Sequence, residues 1–459
     1  MTELVFNNDL IKKYDKSGPR YTSYPTAVQF TESFNEQNYL EQVNLSNQRN
    51  SPLSLYFHIP FCDTICYYCG CNKIVTKNRD RAQPYLDAVY KELELQGELF
   101  KATRIVKQLH WGGGTPTFIS HEQMRELMRQ TRRHFTLLDD DSGEYSIELD
   151  PREVTHSSIN LLRELGFNRI SLGVQDFNPQ VQQAVNRIQS YNETRDVIIA
   201  ARKNNFHSIS LDLIYGLPLQ TVKSFDETLD KILELDPDRI SVFNYAHLPA
   251  MFKTQRQINE LDLPSAEEKL IILHHVINKL IAAGYEYIGM DHFAKPTDEL
   301  AIAQKEKKLY RNFQGYSTHS DCDLVALGIT SIGKVADSYS QNIKTIDEYT
   351  TAIDSGHLPV FRGISLSPDD LLRREVINQL ICHFELKFSD VESGFNIQFN
   401  EYFAEELLQL KQMQSDLLLT LSDSHIKVLP EGKLLIRNIC MIFDVYLGKT
   451  EGQRFSKVI

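Results

Sequence analysis

LSLYFHIPFCDTICYYCGC, residues 53–71, carries the two features that decide the fold. In its first half Leu53, Leu55, Phe57 and Ile59 alternate with Ser54, Tyr56 and His58, the two-residue period of a strand with one apolar and one polar face. Its second half sets Cys62, Cys66 and Cys69 in C-x3-C-x2-C spacing on the loop after that strand, with Cys71 two residues further on. Three thiolates this close suit three corners of a 4Fe–4S cube, and the missing fourth ligand leaves one iron open. Zinc would need a second, distant cysteine pair. Cys322, Cys382 and Cys440 stand singly and supply none. A disulfide framework fits no better, because seven cysteines in 459 residues are sparse and odd in number, as expected of a reducing compartment. Cys382 and Cys440 lie in apolar helical patterns and read as small buried hydrophobes; Cys322 is unassigned.

Outward from this stretch, short β-rich runs alternate with helical patterns. Strands are expected at 53–58, 107–111, 145–150, 169–175, 208–213 and 239–245, with helices near 84–100, 120–134, 157–165, 178–204 (as one or two pieces) and 221–234. Six βα units in a row predict a parallel sheet with right-handed crossovers. A further helix is expected over 265–283 and a strand at 285–289. The first strand's alternation recurs: Ser146, Glu148 and Asp150; Ser171, Gly173 and Gln175; Ser208, Ser210 and Asp212 each share a face. A parallel sheet covered on both sides would read as nearly continuous aliphatics, and a closed eight-stranded barrel fills its interior with Val, Ile and Leu. The fold predicted is therefore α/β, a partial barrel whose polar interior lines a cavity.

Past residue 362 the pattern changes. GISLSPDDLLRREVINQLICHF has Ser at an N-cap, Pro just inside and two Asp in the first turn, a helix start. A second helix fits 399–415, IKVLPEGKLLI reads as two short strands around Pro-Glu-Gly, and RNICMIFDVYL reads as an apolar helix. We divide the chain into an N-terminal segment 1–50, a barrel 51–362 and a smaller, mainly helical C-terminal domain 363–459 with a winged-helix-like pattern. The net charge of −12 and the lack of a basic stripe argue against nucleic acid as a partner. The longest apolar stretch, 270–284, is broken by two His, Asn and Lys, so no membrane span is expected. The start, MTELVFNNDLIKKYDKSG, has acidic residues and no long apolar run and is not read as a targeting peptide. A cytoplasmic monomer is the expectation.

Candidate site residues cluster at strand C-terminal ends, the rim that carries the active site in barrel enzymes. His110-Trp111-Gly112-Gly113-Gly114-Thr115 follows the second strand, and three glycines permit either a flexible turn or close backbone approach to a ligand. Glu148, Gln175 and Asp212 sit near strand ends on polar faces, with Arg187 as a nearby cation. Buried carboxylates need partners, met by an internal ion-pair network or by a ligand. Cys71 reads as a functional thiol or as packing. Gly18-Pro-Arg-Tyr-Thr-Ser-Tyr-Pro25 reads as an ordered loop, either a strap or a substrate segment in which Arg20 supplies charge and Tyr21 and Tyr24 supply flat faces.

The C-x3-C-x2-C spacing resembles the radical S-adenosylmethionine (SAM) superfamily, which implies an open (β/α)6 barrel and SAM on the open iron. The runs SGPRYTSYPTA, LYFHIPFC…CYYCGCNKIVT, LHWGGGTPT, SIELDPRE, RISLGVQDFN, DLIYGLP, SVFNYAHLP and GMDHFAKPTDEL further resemble the oxygen-independent coproporphyrinogen III oxidase family, over essentially the whole chain. The resemblance implies that Cys62, Cys66 and Cys69 ligate the cluster and that Tyr56, Gly113, Glu148 and Ile332 contact the cluster-bound SAM. It places Tyr68, Gly114, Thr115, Gln175, Arg187, Asp212 and Ala246 against a second SAM; Ile332, in LGITSIG, otherwise reads as core. The implied reaction starts with one electron from an unidentified donor and cleavage of SAM to a 5′-deoxyadenosyl radical. Hydrogen is then taken from a propionate β-carbon of coproporphyrinogen III, and CO2 and an electron leave to an unidentified acceptor. Two such rounds, using two SAM, give protoporphyrinogen IX in porphyrin and haem biosynthesis. Cys71 and Arg20 are the expected catalytic residues, and a tetra-anionic substrate on an acidic chain requires local cations. The related haem chaperone typically lacks the fourth cysteine and the GPRYTSYPT segment, both present here. A methyltransferase using the second SAM as donor is the other alternative.

Overall fold

The computed structural model describes residues 4–447. They fall into two compact units: Thr31–Lys279 with Asp321–Ser365, and a smaller one drawn from the residues up to Phe30, Leu280–Ser320 and the residues from Leu366 on.

In the larger unit all six expected strands are present, their ends shifted by at most two residues: β1 Leu53–Ile59, β2 Ile105–Gly113, β3 Glu144–Leu149, β4 Arg169–Gln175, β5 Ser208–Tyr215 and β6 Arg239–Asn244. They lie in the order β6-β5-β4-β3-β2-β1, every neighbour parallel. The crossovers carry helices α1 Ala82–Leu99, α2 His121–His134, α3 His156–Glu164, α4 Tyr191–Lys203 and α5 Val222–Glu234. The expected 178–204 helix is two pieces, because Val185–Ser190 intervenes between Pro179–Ala184 and α4. Ser120, Thr155, Ser190 and Thr221 each close a capping box at the start of α2 to α5, satisfying amide donors that a helix start leaves open.

Register turns the alternation into two faces. Phe57, Trp111, Ile147, Ile170 and Ile209 stand side by side across five strands, each at most 2% exposed. Trp111 also meets Phe57 and Phe167 edge-on. The opposite face aligns Tyr56, His110, Ser146, Arg169 and Ser208, and above them Glu148, Ser171 and Ser210, then Gly173, Asp212 and Ser241. The fold is the expected open partial barrel, with a polar inner face.

Beyond β1 the sheet continues with four strands outside the expected set. β7 Asp323–Leu327 adds to β1 in parallel, and β8 Ile332–Val335, β9 Ser338–Asn342 and β10 Val360–Ser365 continue antiparallel. β7 is buried at every residue, and a short run buried on both faces has no period to read. Its Asp323 accepts hydrogen bonds from Arg104 Nη2 (2.8 Å), Ser46 Oγ (2.5 Å) and Ala336 N (2.9 Å), fastening the helix Glu36–Arg49 to this edge.

In the smaller unit, helix α6 Pro368–His383 starts as its sequence dictates, with Ser367 as N-cap, Pro368 inside it and Asp369 and Asp370 in the first turn. The strand expected at 285–289 is Glu286–Gly289, paired with His292–Ala294. Two expectations need correction. The helix expected over 399–415 breaks into Phe399–Tyr402 and Ala404–Ser415, because Phe403 between them is fully buried against Phe399 and Phe443. Of the two strands expected around Pro-Glu-Gly only His425–Val428 forms; it pairs with Leu419–Leu421 and Glu385–Lys387. The segment after it turns inward instead, where Gly432 lies so close to the Leu418 backbone that a Cβ would collide with its carbonyl oxygen. Leu435, Ile436 and Ile439 are buried there, and the expected helix is the six-residue Ile436–Met441. Cys382 and Cys440 are buried, as read, and so is Cys322. No helix among the described residues is long and apolar enough to cross a membrane.

Candidate functional site

The cysteine loop leaves β1 and is held from three sides. Its two ends pair as short strands, Phe61 with Ile74 and Cys62 with Val75. From the segment before α4, Asn186 Nδ2 donates to Ile65 O (2.7 Å) and Val185 O accepts from Tyr67 N (3.0 Å). From the loop after β6, Thr254 Oγ1 donates to Cys69 O (3.1 Å), while Gln255 Nε2 bridges Tyr68 O (3.0 Å) and Ala246 O (3.2 Å). Ala246 thus enters through its backbone.

All three expected ligands are free thiols facing hydrogen-bond donors or cations. Thr115 Oγ1 lies 3.7 Å from Cys62 Sγ. Burial pushes the Cys62 thiol up to about 11 against that hydrogen bond, and Cys69 and Cys66 add to the rise. Cys66 Sγ has two guanidiniums beside it, Arg187 Nη1 at 3.6 Å and Arg152 Nη2 at 4.0 Å. Both arginines bind Asp150, at 3.0 and 2.6 Å. Burial would raise the Asp150 carboxyl, but Arg187 and Arg152 hold it below its ordinary value. A hydrogen bond from Cys71, with Lys73 nearby, lowers the Cys69 thiol to about 6, and Cys71 is raised in turn. Cys71 therefore stands at the site, beside Cys69.

The glycine run is a rim built against this loop. Gly114 N donates to Ile59 O and Thr115 N to Phe61 O, both at 2.8 Å. A Cβ on Gly114 would lie 2.6 Å from Phe61 O; on Gly113, whose φ is +117°, it would lie 2.9 Å from the His58 ring. Close approach to backbone is required here whatever else binds. Glu148 sits deep among its neighbours although its side chain keeps a half-open surface; it accepts from Gly113 N (3.1 Å) and lies 3.3 Å from His110 Nε2. Burial works against its negative charge, yet His110, Gly113 and His58 outweigh it and hold the carboxyl below its usual range. Tyr56 stacks on His110 and shares a hydrogen bond with His58.

Further along the inner face Asp212 is pushed up to about 6, by burial first and by the Glu148 charge, against hydrogen bonds from Ser171 and Ser241. Gln175 ends β4 with φ +68°, a left-handed conformation of the kind that gathers at ligand sites. Gly173 leaves room there: Arg187 Nη2 donates to its carbonyl at 2.6 Å, and a Cβ would meet Gln175 Nε2 at 2.9 Å. Tyr68 packs with Val181, Val185, Leu217, Tyr245 and Ile258; burial raises its hydroxyl pKa, with Arg187 opposing and Cys66 and Cys69 adding.

The structure thus brings Cys62, Cys66, Cys69, Cys71, Tyr56, Tyr68, Gly113, Gly114, Thr115, Glu148, Gln175, Arg187, Asp212 and Ala246 to one rim and its inner face. Ile332 lies on β8, half-buried and paired with Gln341; β8 pairs with β7, whose Ala326 stands beside Tyr56. Arg20 lies in the smaller unit, where its Nη1 donates to Asp291 Oδ2 at 2.7 Å. Tyr21 and Tyr24 do not offer open faces: both are buried. The Tyr21 hydroxyl donates to Asp444 (3.0 Å) and that of Tyr24 accepts from Val445 N (3.2 Å), so the two rings are core of their own unit. Arg152, Thr254 and Gln255 were not anticipated. Arg152 was findable, two residues past a polar-face carboxylate at a strand end.

The donor set suits an iron–sulfur cluster: three soft thiols on one loop, with cations beside one of them and a buried Arg187 Nε that makes no hydrogen bond. Comparison with known proteins agrees. Residues 56–232 match the Radical SAM superfamily and residues 366–435 the HemN C-terminal domain. The chain is 55% identical over 451 residues to the oxygen-independent coproporphyrinogen III oxidase of Pseudomonas aeruginosa, covering 98% of each chain. It is 50% identical to the Escherichia coli protein of the same name, again over 98% of each. The solved structure described as "Coproporphyrinogen III oxidase (HemN) from Escherichia coli is a Radical SAM enzyme" superposes with a TM-score of 0.93 at 48% identity, covering 97% of this chain and 100% of that one.

Proposed function

We infer the reaction from one premise: this chain belongs to the oxygen-independent coproporphyrinogen III oxidase family. It converts two propionate side chains of coproporphyrinogen III to vinyl groups, giving protoporphyrinogen IX, in porphyrin biosynthesis. A 4Fe–4S cluster and SAM, when bound, supply the radical that removes the propionate hydrogen; the protein's part is to position the carbon and exclude side reactions. In our reading Cys62, Cys66 and Cys69 hold the cluster, and Arg187 and Arg152 neutralise the Cys66 thiolate. Glu148 takes the hydroxyls of the cluster-bound SAM in exchange for His110 and Gly113, and Tyr56 and Gly113 line its other side. Tyr68, Gly114, Thr115, Gln175, Arg187, Asp212 and Ala246 receive the second SAM, and Ile332 packs against the first. We place the enzyme in the cytoplasm as a monomer, served by an electron donor and an electron acceptor.

The observation that carries this reading is the cysteine loop itself: three free thiols gathered over a polar strand face, beside a glycine rim pinned to the same loop. Anaerobic turnover of coproporphyrinogen III after cluster reconstitution tests it. Vinyl groups, 5′-deoxyadenosine and CO2 should appear in equal amounts. Haem binding without turnover, or a methylated product, would overturn it. Alanine at Cys62, Cys66 or Cys69 should abolish the iron–sulfur absorption.

A further inference from the structure

The smaller unit buries more positive charge than its own contacts settle. Arg311 lies in the short strand Tyr310–Asn312, opposite Tyr316 in the partner strand Gly315–Ser317. That register lays its guanidinium over the Tyr316 ring, 4.7 Å from the centroid. The ring is itself fixed, since its hydroxyl donates to Ile381 O at 3.3 Å. Arg311 is 6% exposed, and its Nε and Nη1 are buried without a hydrogen-bond partner. Two further arginines belong to the same neighbourhood. Arg437, buried, donates from Nε to Pro19 O (2.8 Å) and from Nη2 to Gly18 O, the two residues that lead into Arg20. Its pKa is lowered to about 10, by burial first and by Arg20 and Arg311 as well, against Asp291 and Tyr21. The Asp291 carboxylate is already hydrogen-bonded to Arg20 at 2.7 Å.

A buried guanidinium with unmade donors is unfavourable and is not retained for stability. A guanidinium held over a ring with Nε and Nη1 unbonded keeps charge-assisted donors on two of its edges for an anion such as a carboxylate. We propose that Arg311, with Arg20 beside Asp291, forms a carboxylate-binding site that takes a propionate side chain of the substrate. The site rests on the reaction proposed above and extends it. Arg311 supplies a charge-assisted contact, Tyr316 sets its plane, and Arg437 fixes Gly18 and Pro19, just before Arg20, by their carbonyls. Asp291 keeps Arg20 oriented while the site is empty.

The test uses the full-length protein and a stable probe, oxidised coproporphyrin III, against its tetramethyl ester, with binding followed by porphyrin fluorescence. The wild-type protein should bind the free acid at least tenfold more tightly than the ester. Arg311→Met should lose that preference while its melting temperature stays equal to or above wild type, because removing an unpaired buried charge relieves the empty protein. Arg311→Lys, which keeps charge without the fork, should recover part of the preference. An unchanged acid-over-ester ratio in Arg311→Met overturns the site, and so does a fall in melting temperature in both variants, which would make Arg311 structural. Failure of the wild-type protein to turn over coproporphyrinogen III would instead strike the reaction itself.

Discussion

Replacing Gly114 by Ala separates the two roles that a glycine rim can have. The added Cβ would lie 2.6 Å from Phe61 O and 2.8 Å from both the carbonyl carbon and oxygen of Pro60. All three atoms are backbone, so no side chain can swing away. An ordinary carbon–oxygen contact is about 3.3 Å or more, so the two segments must part by roughly 0.7 Å. The hydrogen bonds Gly114 N to Ile59 O and Thr115 N to Phe61 O, both 2.8 Å, would stretch to the point of failure. Losing most of two bonds at about 1 kcal/mol each, with overpacking of about 1–3 kcal/mol, gives about 3 kcal/mol of local destabilisation. The displaced Thr115 also withdraws its hydroxyl from Cys62. Hydrogen exchange of the apo protein should therefore lose protection at residues 114 and 115 by about two orders of magnitude, and reconstituted iron per chain should fall. Gly112→Ala is the control, because the three atoms nearest its Cβ all belong to the Glu148 carboxylate, at 3.1 Å, a side chain that can shift, and it should keep both. Full protection and full iron in Gly114→Ala would refute the packing argument and leave ligand contact as the reason for that glycine.

Glu148→Gln should weaken SAM binding several-fold, measured by equilibrium dialysis, with iron content unchanged; unchanged affinity would make the carboxylate structural. Cys71→Ser should keep the iron–sulfur absorption and lose turnover, and full activity would return Cys71 to a packing role. Glu92 is fully buried on α1, accepting from Tyr349 Oη (2.5 Å), Gly328 N (2.7 Å) and Asn342 Nδ2 (2.7 Å). Burial raises its folded pKa from 4.5 to about 7, against those hydrogen bonds. Its proton is thus held more tightly in the folded than in the unfolded chain. The stability this contributes is complete below pH 4.5 and is lost as pH rises through 7, on the order of 3 kcal/mol. Glu92→Gln should flatten urea midpoints plotted against pH over that window, and parallel wild-type and variant curves would exclude Glu92 as the source.

What could be read from the chain was whatever repeats with a short period or sits next to its own signal. Strand alternation gave the six barrel strands and told the polar from the apolar face, since register only aligns faces already encoded within each strand. Capping residues such as Ser120 and Thr221 marked helix starts for the same local reason. β7 escaped because burial on both sides erases alternation, and β8 to β10 follow it. The break at Phe403 escaped because a helix-forming segment was interrupted by a packing requirement set by Phe443, forty residues away. Within the site, the cysteines, the glycines and the strand-end carboxylates were legible from position. Thr254 and Gln255, which hold the cysteine loop by its carbonyls, were not, because their partners lie almost two hundred residues earlier.

The N-terminal segment shows where composition misleads. The sequence allows two readings of Tyr21, Tyr24 and Arg20: a strap, or a substrate segment whose aromatic and cationic residues offer stacking surface and charge to a flat anionic ligand. The structure divides them. The two tyrosines bury their rings and bond Asp444 and Val445, while Arg437 grips the carbonyls of Gly18 and Pro19. The aromatic residues thus serve to immobilise the loop, and the cation is what the loop presents. An arginine on a loose terminus would lose much of its binding free energy to ordering. In the proposed carboxylate site, anchoring the segment on both sides of Arg20 would remove that cost beforehand.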